Sequence, residues 1–248
     1  MNLAEHSITP DWPAPPSVQA LQTTRNGGAS SGPYHSLNLA DHVGDEPLNV
    51  EHNRLRLEPL LPSEPVWLRQ VHGTAVVDAG SASCLPEADA CFSSHPGAIC
   101  AVLTADCLPL LLCNDQGSVV AAVHAGWRGL RDGIIERTVQ AMNVPPATLM
   151  AWFGPAIGPQ HFEVGADVHD AMIAAQPESA AAFKPGAADV ATGTWYADIY
   201  QLARLRLNAL DISRIYGGNL CTYAEPERFF SHRRDGVTGR MGTLIWIK

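Results

Sequence analysis

The chain has 248 residues, 46% of them hydrophobic and 17% charged, with mean hydropathy near zero. That composition excludes disorder and fibrous repeats and leaves room for one sizeable core. Sixteen Lys and Arg against 25 Asp and Glu give a net charge of −9, so neither nucleic acid nor an anionic membrane is an expected partner.

In chain order, the Pro-rich opening predicts an extended arm over residues 1–17, followed by a single domain over 18–248. Residues 18–24 read as a strand. Arg25-Asn26-Gly27-Gly28 has the composition of a turn or an anion-binding nest. Asp45 and Pro47 start a helix whose apolar positions run from 50 to 61. Short strands are expected at 66–70 and 75–78, then a strand-rich centre at 90–92, 99–105, 108–113 and 118–125. Ile134, Ile135, Val139 and Met142 share one face of a helix over 129–142. A strand at 149–153, a helix at 167–175, a helix capped by Asp198 and running to 210, and a strand at 244–247 complete the reading. Strands cluster in the middle without strict alternation, which predicts α+β or mixed α/β architecture.

The first twelve residues carry Glu5 and Asp11 and no apolar run of signal-peptide type. The most apolar stretch, 98–113, is interrupted by Asp106 and reads as two strands rather than a membrane span. Six cysteines, at 84, 91, 100, 107, 113 and 221, form no CxxC pair, and a reducing cytoplasm is the expected location.

Residues 108–113 and 118–125 flank Asn114-Asp115-Gln116-Gly117 and read as a β-hairpin. With Asp115 and Gln116 at the turn centre, Cys107 lies directly opposite His124, and a metal ion can be held across that gap. A bulge at Gly117 would shift the pairing by one and leave the two residues diagonal. Either residue alone also reads as an ordinary core side chain. Gly126-Trp127-Arg128-Gly129 beside them suits the approach of a ligand to the backbone. His72, in the polar segment Arg69-Gln70-Val71-His72-Gly73, is the third candidate ligand. One Cys and two His leave a fourth position open, as catalytic zinc sites do. Neighbouring strand residues face opposite ways, so Asp106 is expected to turn from Cys107 and to anchor backbone amides or an Arg near the Trp127 loop.

These segments are similar to the YfiH family, also called the laccase-domain or multicopper polyphenol oxidoreductase family. The resemblance is carried by Thr24-Arg25-Asn26-Gly27-Gly28, Gln70-Val71-His72-Gly73, Ala88-Asp89-Ala90, Thr104-Ala105-Asp106-Cys107-Leu108-Pro109 and His124-Ala125-Gly126-Trp127-Arg128-Gly129. It continues through Gly154-Pro155-Ala156-Ile157-Gly158, Asn219-Leu220-Cys221-Thr222 and Phe229-Phe230-Ser231-His232-Arg233-Arg234-Asp235, with Thr238-Gly239-Arg240 beyond. It implies a mixed α/β sandwich with flanking helices and a metal pocket on His72, Cys107 and His124, those residues being also catalytic. The activities it implies are phosphorolysis of purine nucleosides, methylthioadenosine among them, adenosine deamination and editing of peptidoglycan precursors. Some members carry Tyr where this chain has His232.

The laccase name meets an obstacle in the residues. A multicopper cluster needs paired His-X-His motifs, and no two of the ten histidines are two apart. The expected cofactor is Zn²⁺, with copper the other candidate because Cu²⁺ outcompetes Zn²⁺ at nitrogen donors. A purine nucleoside and phosphate are the expected small-molecule partners. Arg25, Arg128, Arg233 and Arg234 are candidate phosphate ligands. Asn38 and Gln70 are candidates for ribose or base. Two other classes stand beside this one: an amide hydrolase with Cys107 as nucleophile and His124 as base, and a non-catalytic binding protein with structural zinc.

Overall fold

The computed structural model describes residues 3–82, 85–186 and 193–248; Cys84 lies outside them. Strand β1 (Ser7–Ile8) belongs to the N-terminal arm and pairs with β2 (Val18–Thr23). Helix α1 (Pro47–Leu55) follows, then β3 (Val76–Asp78), β4 (Ala90–Ser93), β5 (Cys100–Thr104), β6 (Leu108–Asn114) and β7 (Val120–Ala125). Helices α2 (Trp127–Asp132) and α3 (Ile134–Met142) lead to β8 (Leu149–Phe153), β9 (Glu163–Gly165), α4 (Ala166–Ala175), β10 (Phe183–Pro185) and β11 (Thr194–Ala197). The chain ends with α5 (Ile199–Ala209), β12 (Ile215–Gly217), α6 (His232–Asp235) and β13 (Met241–Ile247).

The strands form a six-stranded sheet, β12-β8-β6-β7-β4-β3, a four-stranded sheet, β1-β2-β13-β5, and a small sheet, β10-β11-β9. Only β12–β8 and β3–β4 are parallel among the described pairs, so the large sheet is mixed. The architecture is α+β, as the strand clustering predicts.

Each large sheet is covered on both faces. Val102 and Ile245 of the four-stranded sheet meet Leu111, Val120 and Trp152 of the six-stranded sheet in one core. The opposite face of the six-stranded sheet, with Leu110, Leu112 and Val123, packs on Ile135 of α3, Met172 of α4 and Leu202 of α5. Leu103, Leu244 and Trp246 pack outward on Leu37, Leu39 and Trp67. Double coverage explains why β5, β6, β7, β8 and β13 are apolar or small at nearly every position instead of alternating.

Three predicted elements differ. Residues 66–70 form no strand, and only isolated bridges join Val66 to Cys100 and Arg69 to Glu87. The helix expected over 129–142 is two helices, because Gly133 takes a left-handed φ of 91° between α2 and α3. The hairpin turns through a four-residue loop, with Asn114 accepting from the amides of Ser118 and Val119. Pro109, not Cys107, therefore faces His124. The difference from the expected register is two residues, which preserves side-chain parity. Cys107 still arrives beside His124, now just before β6 begins.

Candidate active site

His124 lies near the end of β7, Cys107 immediately before β6, and His72 on the loop before β3. Their donor atoms all lie within 4.8 Å of one another. Cys107 Sγ is 3.8 Å from His72 Nε2, and the two imidazole rings meet edge-on with centroids 4.7 Å apart. No other group of three such donors occurs among the described residues. Gly126 makes the convergence possible: a Cβ there would sit 3.0 Å from His72 Cδ2 and 3.2 Å from Cys107 Sγ.

Asp89 organises this cluster from a position with no solvent exposure. Its carboxylate accepts the amides of Val71, His72 and Gly73 at 3.2, 2.9 and 2.6 Å, which holds His72 at a left-handed φ of 60°. The same carboxylate lies 2.7 Å from His124 Nδ1. With the proton on Nδ1, Nε2 is left free as a donor atom, the arrangement that orients metal-ligating histidines. Burial raises the Asp89 pKa, but the hydrogen bond and charge of His124, with the Gly73 and Val71 amides, outweigh it and hold the carboxyl below its usual range.

Burial likewise opposes a Cys107 thiolate. The charge and hydrogen bond of His124, then those of His72, overcome it and bring the thiol down to about 6. Burial lowers His124 in turn, but the charge of Cys107 and the hydrogen bond to Asp89 raise it to about 9. The metal-free pair is thus a thiolate and an imidazolium. One soft thiolate and two imidazoles, one with its tautomer fixed, suit zinc or copper.

Asp106 turns away from Cys107, as expected, at a φ of 94°. Its carboxylate accepts from Thr222 Oγ1 at 2.6 Å and the Arg233 amide at 2.7 Å. The segment it pins is therefore 222–233 and the start of α6, not the Trp127 loop.

The cluster sits where two lobes of a cleft meet, sharing His72, Ala105, Cys107, Arg128 and His232. The first lobe, about 210 Å³, adds Trp127, Ile157, Phe162, Ile199 and Arg233. The second, about 430 Å³, adds His42, Gln70, Thr104 and Arg240.

Of the sequence candidates, Arg128, Arg233 and Gln70 reach the cleft. Arg128 stacks on Trp127 at 4.5 Å. Arg233 donates to the Glu163 carbonyl and passes 5.6 Å from the Phe162 ring centroid. The Gln70 carboxamide is engaged twice by the Leu103 backbone, at 2.8 and 2.7 Å. Arg25, Asn38 and Arg234 line neither lobe. Arg25 donates to the carbonyls of His35 and Pro226. Asn38 is fully buried and binds Ala40, Asp45 and the Arg240 amide. Arg234 donates to the carbonyls of Thr222, Tyr223 and Phe229. Sequence reasoning assigned no role to Asp89, although a carboxylate between Ala88 and Ala90 must find buried partners. It also passed over Thr104 and Arg240.

The fold and site together define a layered α+β domain with one His/Cys/His donor group at a two-lobed cleft. The chain belongs to the family described as multi-copper polyphenol oxidoreductase laccase, whose model matches residues 19–248. It is 50% identical to a Pseudomonas aeruginosa protein named purine nucleoside phosphorylase, over 97% of this chain and 98% of that one. It is 51% identical to the Escherichia coli purine nucleoside phosphorylase YfiH, with the same coverage. A Neisseria meningitidis structure of the DUF152 family superposes with a TM-score of 0.92 at 48% identity, covering 98% of this chain and 99% of that one. The YlmD structure from Geobacillus stearothermophilus gives 0.85 at 33% identity, covering 94% and 93%. No helix among the described residues is long and apolar enough to cross a membrane.

Proposed function

We propose that this protein is a purine nucleoside phosphorylase acting on adenosine and related nucleosides, methylthioadenosine included, and that the same pocket deaminates adenosine. The observation that carries the reading is the near-full-length identity of 50% to a protein named for phosphorolysis. The cleft supports it. His72, Cys107 and His124 would hold Zn²⁺, or copper in its place. Such an ion, when bound, lowers the pKa of water and polarises an oxygen in contact with it. Trp127 and Phe162 offer apolar faces to a purine, and Arg128 and Arg233 bring positive charge to the cleft. Asp106 accepts the Arg233 amide and so fixes the start of α6, whose His232 and Arg233 line the cleft. The five described cysteines are free, which supports a reducing cytoplasm. A laccase cluster finds no second donor group among the described residues.

A second reading has its own support. Asp89, His124 and Cys107 form a carboxylate–imidazole–thiol chain, and the depressed thiol of the metal-free protein is a competent nucleophile. That arrangement suits cleavage of an amide, such as a misincorporated residue in a peptidoglycan precursor. A thiolate bound to a metal is not free to attack. Metal analysis with product analysis on adenosine, with and without phosphate, separates the two. Phosphate-dependent adenine from zinc-loaded protein supports phosphorolysis. Activity only after metal removal, on a muramyl amide and not on nucleosides, replaces it with hydrolysis.

A further inference from the structure

The two lobes of the cleft differ in chemistry. The first sets Trp127, Ile157, Phe162 and Ile199 beside two arginines, Arg128 and Arg233, and the acidic residue Asp106. The second is bordered by two arginines and four histidines, Arg128, Arg240, His42, His72, His124 and His232, and by no carboxylate among the described residues. In a chain of net charge −9, a concave surface with that lining concentrates an anion. The neighbouring acids are engaged: Asp41 is hydrogen-bonded to His42 and paired with Arg54, Asp89 is held behind His124, and Asp106 accepts from Thr222 and the Arg233 amide.

Two further features point to a ligand. Thr104 is 2% exposed, borders this lobe, and its hydroxyl has no hydrogen-bond partner among the described residues. A buried hydroxyl without a partner costs stability unless something else supplies one. Arg240 uses one terminal nitrogen on the carbonyls of Thr238 and Gly239. No described residue accepts from its other terminal nitrogen, nor from any nitrogen of the Arg128 guanidinium.

We propose that the second lobe is the oxyanion subsite, in which Arg240, Arg128 and the Thr104 hydroxyl bind inorganic phosphate while the nucleoside base occupies the Trp127–Phe162 lobe. This rests on the phosphorolysis reading and moves the phosphate from Arg233 to Arg240. In that arrangement a phosphate oxygen forms the bond to C1′ of the ribose as the bond from C1′ to the purine nitrogen breaks. The bonding pair leaves with the purine, and the proton of hydrogen phosphate ends on it, so adenosine and hydrogen phosphate become adenine and ribose 1-phosphate. Two guanidinium groups and a hydroxyl match a tetrahedral oxyanion better than a planar carboxylate, which offers fewer acceptor oxygens.

The test is calorimetric titration of the zinc-loaded protein with inorganic phosphate and, separately, with adenosine. Arg240→Gln and Thr104→Val should each weaken phosphate binding by about tenfold or more, the loss expected for one hydrogen bond to a charged group. Adenosine affinity should stay within about twofold in both. Arg233→Gln should do the reverse, and acetate should compete poorly with phosphate. Thr104→Val removes a hydroxyl with no hydrogen-bond partner among the described residues, so it remains informative if Arg240→Gln does not fold. Phosphate affinity unchanged in these two variants, or lost mainly in Arg233→Gln, overturns the assignment, as does acetate binding as tightly as phosphate. Adenine formation, measured alongside, tests phosphorolysis separately. Phosphate bound at these residues without adenine production sustains the subsite and removes the reaction.

Discussion

Asp89 Oδ1 and His124 Nδ1 lie 2.7 Å apart, and the same carboxylate gathers the three amides at 71–73. One buried side chain thus aligns two of the three donors, one from a strand and one from a loop. Backbone pairing adds to this, since the His124 amide donates to the Asp89 carbonyl at 2.7 Å.

Asp89→Asn keeps the volume but replaces the acceptor for the His124 Nδ1 proton with an amide. It also weakens the hold on the 71–73 turn. Zinc affinity, measured by competition with a chromogenic chelator, should fall roughly 10–100-fold, the usual effect of losing a partner behind a metal-ligating His. An unchanged affinity would mean that His72 and His124 are oriented by packing alone.

In the metal-free protein the thiol at Cys107 titrates near 6 and His124 near 9. A lowered thiol pKa means that the thiolate is present above it, so alkylation at Cys107 should rise through about pH 6 and level off by neutrality. An ordinary thiol would still be gaining reactivity near pH 8.5. Cys113 serves as the internal reference, because burial pushes it up to about 12. Peptide mapping after iodoacetamide treatment reads both sites. Zinc should protect Cys107 and leave the reference unchanged.

Gly126 has φ −69°, which any residue adopts, so its reason is space and not backbone freedom. Gly126→Ala places a methyl 3.0 Å from His72 Cδ2 and 3.2 Å from Cys107 Sγ. His72 is exposed and yields by rotating, which moves a donor atom. Metal content after dialysis should drop, while the change in stability stays near the cost of a poorer helix N-cap, about 1 kcal/mol. Calorimetry alongside metal analysis distinguishes this outcome from general unfolding.

Strand β8 matches its sequence reading at both ends, because 149–153 is a short apolar run bounded by Pro145-Pro146 and Gly154-Pro155. The helix break at Gly133 was not legible, since one glycine within an apolar 3.6-residue pattern does not announce a left-handed residue. The hairpin register also escaped the reading. Asn114 binding two amides lengthens the loop to four residues, and composition does not distinguish that from a two-residue turn. The donor trio was legible despite this, because a two-residue slip leaves side-chain parity intact. The arginines were the least legible. Arg25 and Arg234 bind main-chain carbonyls, acceptors that every residue carries, so residue type alone could not separate them from Arg128 and Arg233.

Arg233 and Arg234 give the sharpest contrast between neighbours. Arg233 is exposed, borders the first lobe, and its guanidinium makes one hydrogen bond, to the Glu163 carbonyl. Arg234 is half-buried and ties Thr222, Tyr223 and Phe229 together while pairing with Asp235 at 2.8 Å. Arg234→Ala leaves three carbonyls without their charged donor and frees the segment that carries Thr222, the Asp106 partner. A cost of about 2–3 kcal/mol follows, which lowers the melting temperature by roughly 5–10 °C for a chain of this size. Phosphorolysis should then decline, and the proposed deamination with it, because the segment beside the cleft loosens. Arg233→Ala should shift the melting temperature by less than about 3 °C. It should raise the KM for nucleoside and leave the KM for phosphate nearly unchanged. Thermal melts combined with both KM values check the pair. Equal destabilisation by the two substitutions would show that Arg233 also works as a staple rather than as part of the cleft wall.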